Sequence, residues 1–173
     1  IGAFKGVGLF GQDVFPSGGT RIVVTEGEFD ALAVATAYAE KGTIWPVVSV
    51  PNGATAKKTI LEQREYLRSF DEVIFMYDND EAGLNGLEEA VKIIGYDKAK
   101  VTDLGKYKDP NEVLMDAGGG ELLRMIWNAR TYTPAGIVAG EEVWKQLEAY
   151  NEIESVPYPN CLGGLNDKLK GMR

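Results

Sequence analysis

Histidine is absent from the 173 residues, and cysteine occurs once, at Cys161. Without an imidazole there is no Ser-His-Asp triad, no Cys-His dyad and no zinc site of the His-containing kinds, since each uses that ring as base or ligand. A single cysteine excludes an internal disulfide and any multi-cysteine metal site, so a metal here is held by oxygen. Long hydrophobic runs are also missing. Ile22-Val23-Val24 and Pro46-Val47-Val48 fall far short of the ~20 residues that span a bilayer, and no membrane role is expected. No basic stretch near residue 1 leads into an apolar one, which makes an intracellular protein the expectation. Positive charge is scarce: 26 acids face 18 Lys and Arg, for a net charge of −8. A surface of that sign repels polyphosphate, so any binding to nucleic acid requires a local patch or a divalent ion.

What is present suits one core-bearing domain with a short appendage, with 45% hydrophobic and 25% charged residues. The chain starts at Ile1 and stops at Gly171-Met172-Arg173, and it is read as a piece of a longer protein. From residue 20 onward, β-branched runs alternate with helix-like ones. The pattern predicts strands over Thr20 to Thr25, Ile44 to Val50, Glu72 to Tyr77 and Lys98 to Leu104. Between and after them it predicts helices over Glu28 to Lys41, Ala56 to Ser69, Glu81 to Ile94, Pro110 to Asp116 and Glu121 to Asn128. Such alternation argues for an α/β fold, an open, mostly parallel four-stranded sheet flanked by helices. Gly118-Gly119-Gly120 reads as a break and Thr131 to Gly136 as a linker. Gly140 to Ile153 carries Val143, Trp144, Leu147 and Tyr150 at helical spacing and reads as an amphipathic linker helix before a loop-rich tail.

The acids are not evenly spread. Glu26, Glu28 and Asp30 follow the first predicted strand, Asp78, Asp80 and Glu81 follow the third, and Asp109 and Glu112 lie beyond the fourth. In open α/β sheets the binding crevice lies at the carboxyl ends of the strands, so these clusters converge on one rim. An all-oxygen rim suits Mg²⁺ or Mn²⁺. Each cluster taken singly is also explained as a helix cap, because Asp and Glu in a first turn stabilise a helix by roughly 0.5–2 kcal/mol. Three clusters at three successive opportunities favour the metal site.

The set Glu26-Gly27-Glu28-x-Asp30, Asp78-x-Asp80-x-Ala82-Gly83 and Lys108-Asp109-x-Asn111-Glu112 resembles the Toprim domain of primases, topoisomerases and some nucleases. Val47 to Ala54, Lys57-Lys58, Trp127-Asn128-Ala129 and the tail Cys161 to Lys168 further resemble the bifunctional primase-helicases of T7-like phages. The resemblance implies a Toprim catalytic domain over residues 20–130, the end of a basic primase subdomain over 1–19, and a linker helix and helicase-side tail over 131–173. It implies metal-dependent nucleotidyl transfer that makes short RNA primers on single-stranded DNA, in the cytoplasm of an infected bacterial host. Glu26, Asp78 and Asp80 would be catalytic, and with Asp109 they would hold Mg²⁺ or Mn²⁺ in a two-metal site. Lys5, Lys57, Lys106 and Lys108 would bind substrate. The implied partners are a single-stranded DNA template, nucleoside triphosphates, the helicase domain of the parent chain and neighbouring subunits. No G-x-x-x-x-G-K-[ST] loop occurs in the 173 residues, and the zinc module and helicase motor are expected elsewhere in the parent. Two other readings compete: an idle Toprim module that only docks a helicase, and a nuclease or topoisomerase.

Overall fold

The computed structural model describes residues 8–51, 56–133 and 140–152. Five strands form one sheet: β1 (Gly19–Thr25), β2 (Val47–Ser49), β3 (Phe70–Met76), β4 (Ala99–Val101) and β5 (Arg130–Thr131), in the order β2-β1-β3-β4-β5. All neighbours are parallel except β4 and β5, which run antiparallel with Val101 opposite Arg130. The fifth strand corrects the expectation of four. Its two residues are too few to carry a periodic signal, and Thr131, read as linker, pairs with Lys100.

Helices α1 (Glu28–Glu40), α2 (Ala56–Glu62), α3 (Arg64–Arg68), α4 (Glu81–Ile94), α5 (Pro110–Ala117) and α6 (Gly119–Trp127) connect the strands. Both faces of β1 and β3 are covered, which is why their central residues are apolar without alternation. One core, with Ile22, Val24, Phe75 and Val91, lies on the side of α2 to α4. The other, with Val23, Val34, Ile74 and Leu122, lies on the side of α1, α5 and α6. Gly119 lets α6 approach α1, since a methyl there would stand 3.1 Å from the Ala37 Cα. The glycine run is therefore only partly a break: Gly118 takes φ +82 between α5 and α6, and the next two glycines begin α6.

Element boundaries differ from the sequence pattern for identifiable reasons. Pro46 cannot donate to a ladder, so β2 begins one residue later, and Ile44 is exposed. The helix expected over Ala56 to Ser69 is broken at Gln63, whose side chain accepts a 2.7 Å hydrogen bond from Gln12. β4 stops at Val101 because Asp103 turns the chain, its Oδ1 accepting from the Gly105 N–H at 2.8 Å. A single 3-10 turn, Gln12–Val14, precedes the sheet, and Phe10 bridges to Ser49 on β2. A further helix, α7 (Gly140–Glu152), belongs to a second unit that begins at Thr133, the first unit being Ile1–Tyr132. Val143, Trp144 and Leu147 are exposed on it.

The chain leaves β1 to form β2 on one side, then returns past it to form β3 on the other. The connections therefore diverge between β1 and β3, and a crevice opens where the loops after those two strands part. Glu26 and Asp78 stand at those two ends.

Candidate active site at the carboxyl edge of the sheet

Glu26 follows the last residue of β1 on a turn closed by Thr25, whose hydroxyl donates to the Gly27 carbonyl at 3.0 Å. Its Oε2 is buried and has no hydrogen-bond partner. Burial raises the Glu26 pKa above its ordinary value, and the negative charges of Asp78 and Asp80 raise it further. The Asp78 backbone amide and the Lys108 ammonium oppose that rise. Asp78 is raised for the same reasons: burial first, then Asp109, with Asp80 adding to it and Lys108 opposing. Lys108 Nζ stands 4.0 Å from Asp78 Oδ2. An acceptor left dry among like charges is costly, and a cation relieves both terms at once.

Asp80 and Asp109 have a second duty. Asp80 caps α4, accepting from the Gly83 N–H at 2.9 Å, and Asp109 caps α5, accepting from the Glu112 N–H at 2.7 Å. Glu112 reaches back to accept from the Lys108 N–H at 2.6 Å, which makes the start of α5 a reciprocal cap. The capping reading of these clusters is thus correct for one oxygen of each. It leaves the other carboxylate oxygen of Asp80 and Asp109 for a further contact. Gly83 is required for this turn, because a Cβ at that position would lie 2.2 Å from the Asp78 carbonyl oxygen. Asn79 ties the loops after β3 and β4 together: its N–H donates to the Lys108 carbonyl at 2.7 Å and its side-chain amide to the Gly105 carbonyl at 3.1 Å.

Asp30 was in the motif but not among the site residues expected from sequence. It is buried, and its carboxylate accepts from the Asn111 N–H at 3.2 Å, joining α1 to the first turn of α5. Burial lifts its pKa from 3.8 to about 6, opposed by the Asn111 hydrogen bond and helped by Asp78, Asp109 and Glu26. The signal that could have found it is its helical register. Asp30, Val34 and Ala37 share the inward face of α1, where a charge has no place unless it serves something.

The basic candidates scatter. Lys57 pairs with Glu89 at 2.7 Å on the outer face of α2 and α4, and Lys106 pairs with Asp116 at 3.3 Å. Of the three described, Lys108 alone reaches the acids; Lys5 lies outside the described residues. Ser49 on β2 has a buried hydroxyl without a partner. The aromatics pack, with Trp45 edge-on to Trp127 at 6.1 Å and Tyr66 edge-on to Phe70 at 5.6 Å.

Among the described residues no three carboxylates already stand at metal-ligand spacing. The donor set nevertheless fits a hard divalent ion: oxygen only, from three loops, with the Glu26 Oε2 unpartnered and the proton affinities of Glu26 and Asp78 raised by burial and then by their neighbours' negative charge.

Fold and rim together define an open α/β domain with an all-carboxylate edge at its topological switch point. The chain belongs to the Toprim-like family, whose model matches residues 23–114. It is 36% identical to a DNA helicase/primase of Enterobacteria phage T3 over 99% of this chain and 30% of that protein. It is 33% identical to a DNA primase of Thermotoga maritima over 69% of this chain and 20% of that one. The primase domains of bacteriophage T7, solved with its lagging-strand DNA polymerase, an RNA/DNA hybrid and dTTP, superpose with a TM-score of 0.64. They are 38% identical, over 72% of this chain and 61% of theirs. The chain thus spans about a third or less of the length of the phage T3 and Thermotoga maritima proteins.

Proposed function

We propose that this chain is the Toprim catalytic core of a DNA primase that belongs to a primase-helicase, and that it joins nucleotides into short RNA primers on single-stranded DNA. The observation that carries the reading is the convergence of Glu26, Asp78, Asp80 and Asp109 on one edge, with the Glu26 Oε2 buried and unpartnered. Similarity to the phage T3 helicase/primase along nearly the whole chain supports it.

In this reading Glu26 and Asp78 hold Mg²⁺ or Mn²⁺, joined by the free oxygens of Asp80 and Asp109. When bound, the ions supply positive charge for the attacking 3′-hydroxyl and the pyrophosphate leaving group. The chain's own residues set the stage. The Glu26 carboxylate would also take the proton of the attacking hydroxyl. Lys108, 4.0 Å from Asp78, offers its ammonium to the triphosphate. Asp30 fixes the angle between α1 and α5, and Asn79 fixes the spacing of the two acid loops. A surface of net charge −8 gains affinity for phosphate at this edge where bound cations replace repulsion.

The test is template-directed RNA synthesis by the full-length protein that carries this segment. Glu26→Gln and Asp78→Asn are each expected to lower primer yield by about 10² or more, the range of losses when a charge-stabilising group is removed. Wild-type yield from both variants would refute the assignment and leave the docking module as the better account.

A further inference from the structure

We propose that a basic trough beside the acidic edge binds the phosphodiester backbone of a nucleic-acid strand through Lys106, Arg124 and Arg130. The inference rests on the primase reading and goes beyond it, since none of the acidic residues takes part.

A concavity of about 440 Å³ opens between the β4–α5 loop, α6 and β5. Each of these three elements contributes one cation to it: Lys106, Arg124 and Arg130. The antiparallel register sets Arg130 opposite Val101, the last residue of β4, and so at the carboxyl end of the sheet where the acids lie. In a chain of net charge −8 such a gathering is against the average.

The cations are available. Arg130 makes no ion pair among the described residues. Arg124 is paired with Glu121 one turn earlier, its Nε donating at 2.8 Å, and Lys106 lies 4.8 Å over the Tyr107 ring beside Asp116. Exposed pairs of this kind are weak and yield to a phosphate, which a guanidinium grips at two points. Asp103 and Glu121 also line the concavity, so its lining carries one positive charge in excess.

The trough borders the acidic edge across the loop after β4. A smaller concavity of about 190 Å³ is lined by Tyr77, Asp78 and Asn79 and shares Val101, Asp103 and Leu104 with the larger one. A strand whose reacting end sits at Asp78 can therefore lay its following phosphates along the bases. A free nucleoside triphosphate at the acids already has Lys108 as its nearest cation, which leaves the three trough cations for a longer ligand.

The test is fluorescence anisotropy of a labelled oligothymidylate with the chain at several salt concentrations, repeated with unlabelled nucleoside triphosphate as ligand. The variants are the triple Lys106→Gln, Arg124→Gln, Arg130→Gln and the single Arg130→Gln, with circular dichroism confirming the fold of each. Each phosphate contact on a single strand contributes about 0.7 to the slope of log K against log salt, so the triple variant is expected to lose about 2 from that slope. Its affinity at 0.1 M salt falls by about 100-fold, and the single variant loses about 0.7 in slope. Strand binding by the wild type that both variants leave unchanged would overturn this inference alone. A loss confined to the free triphosphate would overturn the strand as ligand. A wild-type chain that binds no strand at 0.01 M salt would overturn the trough and leave the primase reading to primer synthesis by the full-length protein.

Discussion

Replacing Asp30 by Asn in the metal-free chain is expected to stabilise it at pH 7 by about 3 kcal/mol. The Asp30 pKa is 3.8 in an ordinary setting and about 6 in the fold, raised chiefly by burial. A tenfold change in proton affinity is worth about 1.4 kcal/mol, so the rise corresponds to about 3 kcal/mol. Between these two pKa values the folded chain binds a proton that the unfolded chain has released, and stability falls as pH rises from about 4 to about 6. Above that window the whole loss is in place, and the ionised carboxylate is held against its own desolvation. Asn keeps an oxygen for the Asn111 N–H but has no charge to desolvate. The assay is urea denaturation in EDTA at pH 4, 5, 6 and 7, reading the difference between wild type and Asp30→Asn. The difference should grow across that range and level off above pH 6. Glu26 and Asp78 titrate in both proteins and largely cancel. A variant less stable than wild type at pH 7, or a difference flat with pH, would refute the reasoning. The expected stabilisation means that the edge is strained without its ion.

Further outcomes follow from the same contacts. Gly83→Ala sets a methyl 2.2 Å from the Asp78 carbonyl oxygen, so despite the better helix propensity of Ala it is expected to cost about 2 kcal/mol or more, measured by urea midpoint. Asp80→Asn and Asp109→Asn keep an oxygen for their helix caps and should change stability by less than about 1 kcal/mol, while weakening Mn²⁺ binding seen by electron paramagnetic resonance. Equal losses of stability and of metal affinity would mean the caps are their main role. Saturating Mn²⁺ should raise the melting temperature of wild type and not of Glu26→Gln; at ten times its dissociation constant the ion adds about 1.4 kcal/mol.

Much of this was legible before any coordinates. The strand and helix order follows from hydrophobic periodicity, and α4 begins and ends where the pattern puts it, Glu81–Ile94, because Asp80 caps it and Gly95 ends it. The acidic edge follows from where the acids fall relative to strand ends. What sequence could not carry is of two kinds. Two-residue β5 has no period, and the break at Gln63 depends on a partner 51 positions away, Gln12. The separation of caps from free oxygens at Asp80 and Asp109, the burial of Asp30, and the dispersal of Lys57 and Lys106 onto Glu89 and Asp116 depend on tertiary geometry. Arg124 and Arg130 read as ordinary surface charge until the antiparallel register sets Arg130 beside the loop that carries Lys106.

The most direct measurement is anomalous diffraction from crystals of this chain soaked in Mn²⁺ and a nucleoside triphosphate. The account predicts an anomalous peak at the carboxyl edge, within about 2.0–2.3 Å of carboxylate oxygens of Glu26 and Asp78, with the triphosphate beside Lys108. An edge without a peak at millimolar Mn²⁺, or metal held elsewhere while these oxygens stay bare, would contradict it.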